Sequence, residues 1–367
     1  MAEFTGAFPA PAWTPPAPEP FVPLRPLTLG QILAGSFRAL RHNPGVTLVP
    51  AIVVSIVATL GGTAFGILVV EPLISAVGSG YGSVSLYGWV SGYAAGALGW
   101  VVTQSLGLGA GVAQQGVSAV DVAHAVIGRR LTPGGFRRRM RGVVAPLLVW
   151  TAIVVLLAVV GGLVAIAVMG LIATAGSAAA VLGGFIVYPA VAALLAWLGT
   201  KLAFVPSAIA VERLRIGGGI RRSWRLTRGQ FWRSFGIRIL SWGMIWIATM
   251  LVGIPVQLVV SWLAGIVAGN GDLGDHQAVT DAGAVVASIV AAVIAAIGLV
   301  VTTSVDALLY LDLRMRREGL DLELSRFMER RRPITRADPA EVDPYRPPAE
   351  LASSRVRSAP DAGSPWA

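Results

Sequence analysis

The feature that most limits what this chain can fold into is its alternation of long uncharged stretches with short arginine-rich ones. No charged residue occurs from Pro72 to Val120, and none from Gly142 to Thr200. A helix that crosses a bilayer needs about 20 consecutive, mostly apolar residues. The first stretch is too long for one span and opens on the loop-like Gly78-Ser79-Gly80-Tyr81-Gly82-Ser83, so its span is placed at Tyr93–Val117. The second holds two spans, hinged at Ala173–Ser177. The reading is an all-α, polytopic membrane bundle of six transmembrane helices, at about 47–70, 93–117, 143–172, 178–207, 235–268 and 282–311.

The basic residues then set an orientation. Arg25, Arg38 and Arg41 precede the first span, and Arg129 to Arg141 lie between the second and third. Arg213 to Arg238 lie between the fourth and fifth, and the rest follow the sixth from Arg314 onward. The intervening loops carry no Lys or Arg and hold Glu71, Asp272, Asp275 and Asp281. Basic residues stay on the cytoplasmic side of a membrane, so both termini are expected in the cytoplasm and the protein in the cell membrane. Composition agrees: 13% of residues are charged and mean hydropathy is +0.71, whereas soluble domains average roughly 25% charged.

Three domains follow: a Pro-rich tail over 1–26, a membrane domain over 27–332 and a second tail over 333–367. The tails read as disordered and cytoplasmic. The first carries no apolar core of a secretory signal, so the first span is expected to direct insertion.

The arginine-rich segments also carry helical patterning. Thr28-Leu29-Gly30-Gln31 has capping-box spacing with Leu27 placed as a hydrophobic staple. Leu29, Ile32, Leu33, Phe37 and Leu40 then recur on one face up to a stop at Asn43-Pro44-Gly45. A second amphipathic segment is expected from Ser118 and a third over Ile216–Arg228. Ser36-Phe37-Arg38-Ala39-Leu40-Arg41 parallels Ser223-Trp224-Arg225-Leu226-Thr227-Arg228. That parallel points to three repeated units, each an interfacial helix followed by two spans. A further apolar stripe, Leu320, Leu324, Phe327 and Met328, follows the last span.

No catalytic, cofactor or metal site emerges. Cysteine is absent, and His42, His124 and His276 stand far apart. Ionisable groups inside a membrane are costly and mark candidate sites. Lys201, the only lysine, and Asp306 lie at similar depth near the inner ends of spans four and six. They read either as an ion pair or polar path, or as a snorkelling lysine and a cytoplasm-facing carboxylate. Arg38, Arg41, Arg221, Arg225 and Arg228 are candidate contacts for anionic headgroups, either through nonspecific attraction or by bidentate recognition of phosphate. Trp224, Trp232 and Trp242 are expected at the interface. Gln104, Gln114, Gln115 and Gln257 are read as interhelical hydrogen-bonding groups, and Gly62/Gly66, Gly92/Gly96 and Gly107/Gly111 as close-approach points. These make span two a closely packed central helix. Pro146, Pro189, Pro206 and Pro255 mark kinks or broken helices.

Three segments resemble a known family. Pro26 to Leu33 with Phe37-Arg38 and Asn43-Pro44-Gly45 is one. Ser223-Trp224-Arg225-Leu226 with Phe231-Trp232-Arg233 is the second, and Leu309 to Asp321 the third. Together they resemble an actinobacterial family related to the membrane domain of glycerophosphoryl diester phosphodiesterase, over about residues 24–330. In fused relatives the resemblance places the chemistry on a separate soluble barrel, for which this chain has no stretch long enough. The resemblance thus implies a membrane module and not a hydrolase. The function expected is a non-enzymatic membrane module supporting envelope lipid or transport processes, without cofactor. A transporter or channel with a polar site near Lys201 and Asp306 is the alternative, and a lipid phosphodiester enzyme the second alternative. The expected partners are the lipid bilayer with its anionic headgroups and a second copy or another membrane protein, and no nucleic acid.

Overall fold

The computed structural model describes residues 21–81, 86–128, 130–268, 273–331 and Tyr345, with the side chains of 77–95 and 267–288 outside that description. The expected disorder of residues 1–20 and of nearly all of 333–367 lies outside the described residues, as do the side chains of Gly92, Gln257 and Met328. Among the described residues all regular structure is helical.

Helix α1 (Leu29–His42) starts where its capping box predicts, with Thr28 Oγ1 accepting from Gln31 N and the Gln31 side chain accepting from Thr28 N. Asn43 ends it, and Pro44 opens α2 (Pro44–Phe65), where its missing N–H costs nothing in the first turn. A π turn over Gly66–Val70 carries the chain into α3 (Glu71–Tyr81). Helix α4 (Leu86–Val126) is followed by the short α5 (Pro133–Met140), then by α6 (Val144–Ala173) and α7 (Ser177–Leu202). Helix α8 (Val205–Glu212), α9 (Ile216–Thr227), α10 (Phe231–Ala268), α11 (Leu273–Glu318) and α12 (Leu320–Arg331) complete the chain.

Among the described residues five segments are long and apolar enough to cross a membrane: Pro44–Ala76, Val144–Ile172, Val181–Glu212, Phe231–Val256 and Ile289–Glu318. The expected second span, on α4, is not among them, because Gln104, Ser105, Gln114 and Gln115 dilute its apolar character. Yet α4 lies antiparallel to α2 over its described length. Gly99 approaches Val70, Gly62 approaches Thr103, and the Gln114 amide donates to Thr47 O at 2.8 Å. It lies antiparallel to α6 as well, with Gly116 against Leu147, Gly109 against Val155 and Gly162 against Val101.

Three sequence expectations change. The amphipathic segment expected from Ser118 is the last part of α4, where Ala119, Val120, Val122 and Ala123 are all buried, so helix α5 is the short basic helix before α6. Span two, on α4, is the closely packed helix the sequence suggests, lying against α2, α6, α8 and α11, and of the five apolar segments the most buried is Ile289–Glu318 on α11. Of Gly62/Gly66 and Gly107/Gly111, only Gly62 makes a tight contact; the close approaches fall instead at Gly99, Gly109, Gly116, Gly162 and Gly298. Among the four span prolines only Pro206 coincides with a break, at Ala203–Phe204; α7 and α10 run through Pro189 and Pro255, and Pro146 sits in the first turn of α6. Ahead of α1 the described residues from Phe21 onward pack against the bundle. Val22 is buried against α1 and Leu308, and Phe21 packs edge-on to His42.

The core sits at one end of the bundle, where Ile32, Val122, Phe204, Ile209, Leu308 and Leu313 meet. By contrast α7 buries no residue from Val181 to Gly199, and α6 none from Thr151 to Ile172. Apolar side chains left outward along whole helices are what a lipid environment solvates.

Candidate functional site

The arginine-rich segments converge on that same well-packed end. Residue pairs from distant helices fix it: Asn43 with Asp121, Arg139 with Val211, Arg222 with Glu318, and Arg238 with Gly199.

At its centre is a buried ionic cluster. Glu212, the last residue of α8, is 1% exposed and accepts from Arg222 Nε at 3.0 Å and Nη2 at 2.9 Å. The Tyr310 hydroxyl also donates to it, and Arg314 Nε lies 3.5 Å away. Glu318 receives Arg222 on both carboxylate oxygens and Arg314 Nε at 3.2 Å. Two carboxylates thus face two guanidiniums. A buried charge is tolerated only when paired and hydrogen-bonded, and here each of the four groups has an ion-pair partner and a hydrogen bond, with Arg314 Nη1 left unbonded. Burial opposes the charge on Arg222, but the Glu318 and Glu212 carboxylates more than offset it and hold its pKa above the ordinary value. Arg225, more exposed, lies 3.8 Å from Glu318.

A second cluster holds the start of the membrane domain. Asp312 is fully buried, accepts from Leu27 N at 2.7 Å and from Arg316 Nε at 3.0 Å, and forms an ion pair with Arg233 Nη2 at 3.1 Å. Arg233 and Arg316 both donate to Leu27 O as well. One residue before α1 is therefore gripped through both its backbone groups by α10 and α11. Arg317 caps the far end of α9, donating to Arg225 O at 3.1 Å and to Arg228 O, where a cation meets the negative end of the helix.

Near the junction of α1, α2 and α4, the Asn43 amide donates to Asp121 Oδ1 at 3.3 Å and to Leu131 O at 2.9 Å, and His42 Nδ1 lies 4.0 Å from Asp121 Oδ2. Burial pushes the Asp121 carboxyl up to about 6, against the Asn43 hydrogen bond. Burial and the nearby Arg130 charge push the His42 pKa down.

The residues picked out in sequence fall as follows. Asp306 pairs with Arg238 Nε at 2.9 Å, while the Lys201 ammonium lies over the Trp224 and Phe231 rings at 5.2 and 5.7 Å. The structure therefore does not join Lys201 to Asp306; a nearer guanidinium one helix away takes the carboxylate. Arg38 Nη1 donates to Phe21 O, and Arg41 and Arg221 are exposed. Arg225 and Arg228 offer their backbone carbonyls to Arg317. Ser36 and Ser223, the first members of the parallel motifs, are both fully buried, while Phe37, Trp224, Arg38 and Arg225 are exposed. Ser223 Oγ donates to Lys201 O and accepts from Phe204 N, which bridges the break between α7 and α8.

Glu212, Arg222, Tyr310, Asp312, Arg314 and Glu318 were not singled out as site residues. Their signal lies in spacing, since Tyr310, Arg314 and Glu318 recur every four residues, and Asp312 and Arg316 likewise. Among the described residues no cluster of His, Asp and Glu is arranged to hold a metal ion.

Described residues that are helical in all their regular structure, with five bilayer-length apolar segments and a packed core and paired charges gathered at one end, fit the class of multi-pass membrane proteins. Residues 27–313 match the family described as Domain of unknown function (DUF7847), and the chain belongs to that family. No curated protein matches it, and no solved structure does.

Proposed function

We propose that this protein is a non-enzymatic membrane module with six spans whose basic end is a rigid platform at the cytoplasmic face of the cell membrane, supporting envelope lipid or transport processes. The observation that carries the reading is the charge-compensated cluster of Glu212, Arg222, Arg314 and Glu318, which is spent on joining α8, α9 and α11. Groups so fully paired are poor general acids or bases but good fasteners.

The antiparallel course of α4 against α2 and α6 supports counting it as the sixth span. The matching burial of Ser36 with Ser223, and of Ala39 with Leu226, supports a repeat of the first and third units. Kinship with the actinobacterial membrane domain of glycerophosphoryl diester phosphodiesterase belongs to the same proposal, because its third signature, Leu309 to Asp321, supplies Tyr310, Asp312, Arg314 and Glu318 to the clusters.

Reconstitution tests the reading. Purified protein in vesicles is expected to hydrolyse no glycerophosphodiester and to add nothing to ion or solute flux above empty vesicles. Hydrolysis lost on substituting a cluster residue overturns it in favour of an enzyme. Flux that depends on Lys201 or Asp306 overturns it in favour of a transporter or channel.

A further inference from the structure

A cavity of about 450 Å³ opens between the start of α6 and the corner joining α8 to α9. Val143, Pro146, Ile209, Leu214 and Ile216 give it an apolar wall, and Arg213 and Arg215 line it as cations. Its size falls within the range of small-molecule sites. Its depth is defined by the chain itself, because the apolar segments Val144–Ile172 and Val181–Glu212 begin and end there. The cavity therefore straddles the level at which hydrocarbon gives way to headgroups.

Glu212, the adjacent acid, already serves Arg222, Tyr310 and Arg314. Arg213 is held in a left-handed conformation (φ 56°) and donates to Arg139 O, which fixes its guanidinium against α5. Arg215 is exposed and makes no ion pair or hydrogen bond among the described residues. Gly217 completes the wall, and a Cβ built there would meet nothing within 4 Å. Beyond the cavity Val144 and Leu148 stand exposed along α6, an apolar track leading away from it.

A ligand that satisfies all of this is an amphiphile with a phosphate at its head. We propose that the cavity binds one anionic phospholipid of the leaflet at the basic end. Arg215 holds the phosphate, the apolar wall takes the glycerol and first chain carbons, and the chains leave along Val144 and Leu148. Arginine's planar fork suits a phosphate oxygen pair, and one basic residue at a headgroup strengthens binding about fivefold. The site is distinct from the arginines of α1 and from Arg221, Arg225 and Arg228. It rests on the reading of the protein as a lipid-facing membrane module, yet it is measured in detergent, where neither hydrolysis, flux nor orientation enters.

The test is native mass spectrometry of the full chain in a neutral detergent with added phosphatidylglycerol, phosphatidylcholine of matched chains, or glycerol phosphate. One phosphatidylglycerol is expected to bind in preference to phosphatidylcholine. Arg215→Gln is expected to lower that binding about fivefold, and Gly217→Leu, which fills the cavity and keeps every charge, to lower it at least as much. Arg221→Gln, with the same charge change on the helix that Arg215 precedes, is expected to leave it unchanged. The proposal falls if Arg221→Gln weakens binding as much as Arg215→Gln, since the attraction is then diffuse. It falls also if phosphatidylcholine binds equally well, if Gly217→Leu has no effect while eluting like the parent, or if glycerol phosphate competes at equal concentration, which would make this a site for a soluble phosphate.

Discussion

Replacing Glu212 by Gln should expose how much of this protein's stability resides in one carboxylate. Glu212 is 1% exposed and receives Arg222, Tyr310 and Arg314. As an amide it leaves two guanidiniums facing Glu318 alone, which is 28% exposed at its side chain and cannot neutralise both. Removing one partner of a buried pair costs about 3–5 kcal/mol because the remaining charge stays buried. At about 2 to 4 °C per kcal/mol for a chain of this size, the midpoint of thermal unfolding should fall by on the order of 10 °C. The assay is heating of the detergent-solubilised protein followed by size-exclusion chromatography of the surviving fold. Removing Arg222 as well, as Met, leaves Arg314 and Glu318 as a neutral pair spaced i, i+4 on α11. The double variant should therefore lose clearly less than the two single losses added together. A shift under about 2 °C for Glu212→Gln, well below the expected fall, or strict additivity of the pair, would refute the view that this cluster fastens the platform.

Other perturbations test other parts. Asp121 has its pKa raised to about 6 from 3.8 by burial, so the folded state holds a proton that the unfolded chain releases. Its contribution is full below about pH 4 and declines as pH rises to about 6. Asp121→Asn should therefore raise the unfolding midpoint relative to the parent at pH 7.5, with the gain vanishing by pH 4.5; a gain independent of pH would contradict this. At Gly162 an added Cβ would lie 2.5 Å from Val101 Cγ1, on a branched side chain with little freedom to yield, whereas at Gly161 it would meet nothing. Gly162→Ala should cost about 1–3 kcal/mol by overpacking and Gly161→Ala nothing measurable, as thermal midpoints of the two variants will show. Asp312→Asn should loosen the grip on Leu27, so that limited proteolysis cuts ahead of α1 faster while the later spans stay protected; unchanged cleavage would mean that Val22 and Leu27 burial holds this segment without the carboxylate.

Much of the bundle was legible because its signals are local. Apolar run length places α2, α6, α7, α10 and α11, and the capping box at Thr28 fixes the start of α1 within a residue. Pro206 marks either a kink or a break, and sequence cannot choose the break at Ala203–Phe204, since the deciding bond from Ser223 to Lys201 O crosses 22 residues. The glycine contacts escaped for a related reason. Spacing of four along one helix says nothing about whether a neighbour arrives there, and Val101 meets Gly162 without any repeat. The site was least legible. Lys201 and Asp306 were matched by depth, but the partner of a buried charge is set by tertiary approach, and Arg238 reaches Asp306 from the adjoining helix. Four-residue spacing of Tyr310, Arg314 and Glu318 shows a charged face on α11; only the fold shows that Glu212 and Arg222 fill it.

The central claim is that the paired charges form a platform on the cytoplasmic side, with α4 crossing the bilayer to reach it. The chain has no cysteine, so single cysteines can be introduced at Ser75, Thr132 and Ala175 and labelled with a membrane-impermeant maleimide on intact cells and on inverted vesicles. Ser75 lies at the far end of the segment that starts at Pro44, Thr132 caps α5, and Ala175 lies in the turn between α6 and α7. Ser75→Cys and Ala175→Cys should react on intact cells, and Thr132→Cys only on inverted vesicles. Reaction of Thr132→Cys on the same side as Ser75→Cys would contradict the crossing of α4 and with it the platform.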